Sequence, residues 1–397
     1  MVEIRSTTAA LDASWEDGGL WLFFPDYRGS SPYQSLLAEA LAGHAEAAPG
    51  TIGMALEASG RRRIVFHLHW EDALYTDAGG EKEVSAVISE SLQQLAAFRA
   101  RGGRLVWTVH NAAPHEDRFP SLSLGLRQGL ARLADVVHVH CRTGMDLALG
   151  LGAPAERIVI VRHPDIAPAY PDDITDAAAR RYFGLAASDI VFANIGANRG
   201  YKDIGGLHDG FTALNALIPA TRLVLAGRQA GYFEQRYIEP RQGIRLVPRF
   251  VDDAVVQYVV RAADFMVLPY RRILTSGALA LSFGFGRPAI VPDLPALLDV
   301  VRPGENALVY RADDTADLLR VMIEAAELPA VERLRMRAQA LQTGREVGFD
   351  RLANALLEAI ALTRDSAKGD DRTSTIAATA KISTSLLMLN PRPAQAG

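Results

Sequence analysis

The stretch that decides the fold is Tyr270 to Asp293, YRRILTSGALALSFGFGRPAIVPD. An apolar run ends at Pro269-Tyr270, a basic loop follows, and Thr275-Ser276-Gly277 opens a segment rich in Ala and Leu. A Thr or Ser cap followed by a small residue leaves backbone N–H groups free to meet an anion. Gly284, Gly286 and Pro288 end that helix, and Ala289-Ile290-Val291 reads as the next strand. Strand, anion-ready helix start and strand describe either a phosphate site or an ordinary βαβ crossover.

Outward from this stretch the same alternation recurs in both directions. Towards the N-terminus, strands are expected at Leu20–Phe24, Ile64–Trp70, Leu105–His110, Val136–His140 and Ile158–Val161, with a weaker one at Thr51–Leu56. Helices are expected at Gln34–Ala42, Val84–Arg101, Leu122–Leu133 and Thr143–Leu149. Asp165–Asp176, with its prolines and acidic residues, reads as a linker. The pattern restarts with strands at Ile190–Ile195, Arg222–Ala226, Ile244–Val247 and Phe265–Leu268, and a short one at Leu308–Tyr310. Helices at Leu207–Leu217, Phe233–Arg241, Asp253–Ala262, Thr315–Ala326, Ala330–Leu341 and Phe349–Leu362 complete it. Strands alternating with helices imply parallel βαβ units, so the fold class is α/β with two Rossmann-like, doubly wound domains. A chain of 397 residues exceeds the size at which one core keeps growing, which agrees with two. The expected divisions are residues 1–170, 171–348, a final helix at 349–364 and an aperiodic, disordered tail at 365–397.

Composition narrows the class. A net charge of −4 gives no support to a nucleic-acid partner. The single cysteine, Cys141, excludes an internal disulfide and suits a reducing compartment. The N-terminus lacks the apolar core of a signal peptide, and no run is long enough to span a bilayer. The expected location is cytoplasmic, with peripheral contact at the inner face of the plasma membrane left open; Arg118, Arg127 and Arg132 around Phe119 are candidates for it, an ordinary surface helix being the alternative.

Ligands of doubly wound sheets sit at the carboxyl ends of strands, and those positions here are polar. In the first half they hold His67, His69, Trp70 and Glu71, then His110 and Asn111, then His138 and His140, with His163 after the last strand. The period-2 spacing puts each strand pair on one face. No Cys pair or HExxH helix supports a metal site, which leaves hydrogen-bonded core histidines or a lined cleft. His110, just beyond a strong strand, is the candidate for contact with a reacting group. Glu116 and Glu71 are loop carboxylates suited to act as base or to bind hydroxyls, unless they are solvated surface charge. In the second half, IGANRGYKD (Ile195–Asp203) follows the first strand. Gly196 and Gly200 allow tight turns, while Arg199 and Lys202 supply two cations suited to a diphosphate. Neither half shows GxGxxG, which disfavours a dinucleotide.

These residues carry a resemblance. IGANRGYKDIGGL, LVLAGR (Leu223–Arg228), RFVDDAVVQYVVRAADFMVLPYR (Arg249–Arg271), the opening stretch and PGENALVY (Pro303–Tyr310) resemble, in order, the nucleotide-binding domain of GT-B glycosyltransferases, close to family 4. FFPDYRGSSPYQSLL, HLHWED, VWTVHNAAPHE and VRHPD look like the acceptor domain of bacterial relatives that build exopolysaccharide or lipid-linked glycans. The resemblance implies two domains facing a cleft, with the last helix crossing back to the first domain. It implies a donor site at Gly196, Arg199, Lys202, Gly227, Thr275, Ser276 and Gly277, and His110 near the transferred sugar. It further implies a UDP- or GDP-sugar donor, a glycan or lipid-linked acceptor, and no metal or other cofactor. One departure stands out. Where many members have two glutamates, this chain has Ile273 and Leu281. Either Glu305 or other residues then bind the ribose, or the chain belongs to a subgroup without that device, and both a retaining and an inverting outcome stay open. A nucleotide-sugar 2-epimerase on the same fold, or a silent nucleotide-sugar-binding protein, are the alternatives.

Overall fold

The computed structural model describes residues 19–114, 117–228 and 242–366. The chain divides into two compact units, one of residues 1–162 with 349–397 and one of residues 163–348. The division therefore falls before the Asp165–Asp176 segment and not within it. The segment is built into the second unit: Ala167–Ala169 forms a single 3-10 turn, and Asp165 accepts the amide of Ala167 at 2.8 Å.

The first unit holds β1 (Gly19–Phe24), β2 (Ala45–Pro49), β3 (Ile64–Leu68), β4 (Arg104–Thr108), β5 (Val136–Val139) and β6 (Ile158–Ile160). They form one parallel sheet in the order β2-β1-β3-β4-β5-β6. Thr51–Leu56 is not a strand: Ile52–Ala58 is helical, with the Thr51 hydroxyl accepting the amide of Met54 at 3.3 Å as its cap. The real edge strand, Ala45–Pro49, was concealed by its alanines, which carry little strand propensity. The final helix, Phe349–Ser366, belongs to this unit, and Phe349 meets Tyr33 edge-on at 5.2 Å between ring centroids.

The second unit holds β7 (Ile190–Ile195), β8 (Thr221–Ala226), β9 (Ile244–Val247), β10 (Phe265–Val267), β11 (Ala289–Pro292) and β12 (Ala307–Tyr310). Their order is β12-β11-β10-β7-β8-β9, all parallel. The winding reverses between β7 and β10, and doubly wound sheets bind ligands outside the carboxyl ends at that point. Strand alternation divides the core between the two faces. Phe265, Val267 and Ile290 pack with Leu207, Phe211, Leu318 and Met322 on one side. Ala289 and Val291 pack with Leu279, Phe283 and Leu297 on the other. The expected helix at Phe233–Arg241 and the tail from residue 367 lie outside the described residues, while Asp365 and Ser366 are still helix.

One polar knot sits below this sheet. Asp176 receives hydrogen bonds from Arg287, Arg261 and Arg337, and Arg287 is fully buried. The arginines hold the Asp176 carboxyl far below its usual range against the opposing effect of burial. Removing the carboxylate strands a buried guanidinium, which typically costs several kcal/mol. Asp176→Ala is expected to lower unfolding free energy by about 3 kcal/mol in urea denaturation; Asp176→Asn, which keeps the shape and one acceptor, should lose less.

Candidate functional site

At the winding reversal, β7 ends at Ile195 and turns through Gly196, whose φ of 111° favours glycine. Gly196 donates its amide to Ala226 at 2.9 Å. Gly227, at φ 150°, passes so close that an added Cβ would stand 2.0 Å from the Gly196 carbonyl oxygen. Both candidate glycines thus let two loops close on each other. The chain then doubles back, and Lys202 forms an isolated antiparallel bridge with Tyr270, in the loop after β10. Arg271 donates its amide to Tyr201 at 2.9 Å, and Asp203 donates to Pro269 at 2.6 Å. A further tie lies beneath, where buried Asn194 donates its side-chain amide to Val267 at 2.7 Å. An Asn inside an apolar strand was the available signal for this tie.

The expected anion-ready helix runs from Gly277 to Gly284 with Ser276 as its cap. Ser276 Oγ accepts the amide of Leu279 at 3.0 Å and shares a hydrogen bond of 2.8 Å with the Tyr270 hydroxyl. Tyr270, which sequence reasoning passed over, therefore joins the bridge to the helix cap. Gly277 and Ala278 precede the first intrahelical donor, so their N–H groups remain for a ligand. The Thr275 hydroxyl oxygen is buried without a hydrogen-bond partner. His163 lies against this turn, its Nε2 3.8 Å from where a Gly277 Cβ would stand, and burial lowers its pKa to about 4.

Lys202 is the charge in this arrangement. Its Nζ lies 3.1 Å from where a Gly196 Cβ would be and 6.0 Å from the centre of the Tyr270 ring. Among the described residues it has no carboxylate partner. Burial, and then the neighbouring Arg199, bring its pKa down to about 8. Arg199 itself is exposed. A cation enclosed without a counter-ion is costly, and an anion at the helix start recovers that cost. Gly196, Lys202, Tyr270, Ser276 and Gly277 therefore lie together on one surface whose chemistry suits an anion.

Glu305 does not join it. It sits in the turn before β12, its amide bonded to the Arg302 carbonyl at 3.0 Å. In a parallel sheet that is the amino edge, opposite the edge where β7 and β10 end, so topology removes Glu305 from the site. Leu281 is buried, and Ile273 packs on the apolar cluster, so neither position offers a polar group.

In the first unit the histidines form a buried network. Trp21 donates to His67 Nδ1 at 3.3 Å, and His67 Nε2 meets the Thr108 hydroxyl at 2.7 Å. Thr108 meets His138 Nδ1 at 3.1 Å, and His138 Nε2 lies 3.2 Å from the Val161 carbonyl. An indole only donates and a carbonyl only accepts, so with neutral rings every proton points from Trp21 towards Val161. Burial, reinforced by nearby histidines, pushes His67 and His69 well below the usual imidazole range, which keeps both neutral. His110 is buried at the end of this group, its Nε2 3.0 Å from His69 Nδ1, with Trp70 stacked on it at 4.3 Å. Among the described residues no group of His, Cys, Asp or Glu is arranged to hold a metal.

Two loop assignments change. Glu71 is buried, not solvated: it pairs with Arg127 at 2.9 Å and accepts from Trp107 at 3.4 Å. Arg127 is therefore no membrane contact; it donates to the carbonyls of Asn111 and Ala112 and anchors the loop after His110. Arg118 donates to the Ala78 carbonyl at 2.8 Å, while Arg132 is exposed. Glu116 lies outside the described residues.

The site predicts a pH signature. An anion binds the protonated form of Lys202, so affinity for a nucleoside diphosphate should hold below about pH 8 and fall above it. The expected limit is roughly tenfold per pH unit. Titrations between pH 7 and 9.5 should show this decline in the wild type, and Lys202→Ala should lack it.

Comparison with known proteins agrees with this geometry. Residues 190–327 match the family described as Glycosyl transferases group 1. A GDP-mannose:glycolipid 4-beta-D-mannosyltransferase of Xanthomonas campestris pv. campestris is 26% identical over 275 residues, covering 66% of this chain and 71% of that protein. Anabaena Alr3699/HepE, solved with UDP and glucose, superposes with a TM-score of 0.63 at 15% identity, covering 87% of this chain and 99% of that one. Sucrose-phosphate synthase of Thermosynechococcus elongatus gives 0.61 at 14%, covering 89% and 100%. The solved structures establish the fold. With the matched second unit and the mannosyltransferase relatives, they make this chain a glycosyltransferase of the GT-B fold.

Proposed function

We propose that the chain transfers mannose from GDP-mannose to a hydroxyl of a lipid-linked glycan during polysaccharide assembly. The observation that carries this reading is Lys202, enclosed without a carboxylate beside the capped start of helix Gly277–Gly284. Arg199, Lys202 and the amides of Gly277 and Ala278 take the donor diphosphate, and Gly227 keeps the loop in place. These groups offset the charge that develops on the leaving diphosphate, so the reaction runs without a metal. Donor and acceptor follow from what the Xanthomonas relatives are named for. Those relatives are transferases, which leaves the epimerase and the silent binder without support.

The relatives' name specifies a β product. Formed from an α-linked donor, it requires inversion and hence a base for the acceptor hydroxyl. His110 is that base in our reading, and Glu116 is the second candidate. A lipid-linked acceptor would bring the first unit to the inner membrane surface as a peripheral protein. No helix among the described residues is long and apolar enough to cross a membrane.

Transfer assays with GDP-, UDP- and ADP-sugars and a polyprenyl-diphosphate-linked glycan test the reading. GDP-mannose should be used best, and EDTA should leave turnover unchanged. Lys202→Ala and Arg199→Ala should lower turnover by about 10²–10³-fold. Undiminished turnover in both variants would remove the diphosphate assignment.

A further inference from the structure

A second cavity in the second unit, at the amino edge of its sheet, is unused by the transfer reaction. It has a volume of about 460 Å³ and is walled by Arg180, Arg181, Arg333 and Arg337 together with Asp176, Asp189 and Asp264. Ile190, which begins β7, and Asp264, just before β10, place it at the sheet edge opposite Lys202.

Each carboxylate of this wall is already committed. Asp264 accepts from Arg180 and from the amide of Val191, both at 2.8 Å. Asp189 pairs with Arg222 at 3.1 Å and accepts the amide of Ala186 at 2.8 Å. Asp176 serves Arg261, Arg287 and Arg337 together. The guanidinium groups are not committed to the same degree. Arg181 is exposed, and Arg333 meets only the carbonyl of Leu328; neither has a carboxylate partner among the described residues. Arg337 gives only Nη2 to Asp176. Behind the wall, fully buried Arg287 keeps Nε and Nη1 without partners. Burial and the facing Arg337 and Arg261 bring the Arg287 pKa down to about 10, against the pull of Asp176. The cluster thus carries surplus positive charge in a chain whose net charge is −4.

We infer that this cavity is a second anion site, binding a small phosphomonoester through Arg181, Arg333 and the free edge of Arg337. Converging guanidinium groups match the oxygens of a phosphoryl group, and the volume lies within the range of small-ligand pockets. The size admits a phosphorylated sugar, while inorganic phosphate shares the recognised group. The inference stands independently of the donor assignment, since no residue is shared between the two sites.

The test uses calorimetric titration with inorganic phosphate and with glucose 6-phosphate, at ionic strength held constant with KCl. The protein is the full chain carrying Arg199→Ala and Lys202→Ala, so that the donor site does not report. Saturable binding is expected, weakened roughly tenfold or more by adding Arg181→Ala and Arg333→Ala. Arg181→Ala alone, at an exposed position, should weaken binding without altering thermal stability in KCl. Tighter binding of glucose 6-phosphate would identify an organic phosphomonoester as the ligand. Absence of saturable binding by either probe, or equal affinity with and without the arginines, overturns the site.

Discussion

The second unit depends on one short backbone pairing, the antiparallel bridge between Lys202 and Tyr270. It joins the loops that leave β7 and β10, the two strands between which the winding reverses. The arrangement at the carboxyl edge of this sheet follows from it. Lys202 is carried in beneath Gly196, Tyr270 is turned so that its hydroxyl reaches Ser276, and Ser276 caps the helix whose amides are left open. The half-buried charge is in place before any ligand arrives. Preorganised donors of this kind need no rearrangement as charge develops on a leaving group, which is where their catalytic value arises.

The first unit solves a different problem, holding polar rings inside a parallel sheet. Five histidines are buried there; burial holds His67 and His69 well below the usual imidazole range, and the hydrogen bonds from Trp21 to Val161 then have one direction. His110 ends this array under the Trp70 ring, while Arg127 and Glu71 fasten the loop that follows it. Packing of this kind fixes the orientation of the His110 ring. In place of a metal geometry, His67 stacks on His69 and His138 meets His140 edge-on, while their hydrogen bonds run to other groups: Thr108, His110 and the Val161 carbonyl.

How much of this was legible depended on whether the signal was local. The βαβ alternation, the cap at Ser276 and the cations of IGANRGYKD each lie within a few residues, and each could be read directly. Tyr270 could not, because its importance lies in Ser276 on another element, and Asn194 stood out in its apolar strand without naming its partner, Val267. Glu305 was misplaced for the same reason, since its sequence distance from the helix conceals that it lies at the other edge of the sheet. Arg127 looked like surface charge because its partner, Glu71, is remote in sequence. The linker reading of Asp165–Asp176 failed because Asp176 is held by arginines more than eighty residues away.

The central claim is that Lys202, enclosed beside the helix start, grips the donor's diphosphate and not its nucleoside. Calorimetric titration of GDP and of guanosine into wild type and Lys202→Ala at pH 7.5 separates the two. The account predicts that GDP affinity falls by roughly a hundredfold in the variant, the loss of a charge-assisted contact in an enclosed site, while guanosine binding is unchanged. Equal GDP affinity in the two proteins would contradict it.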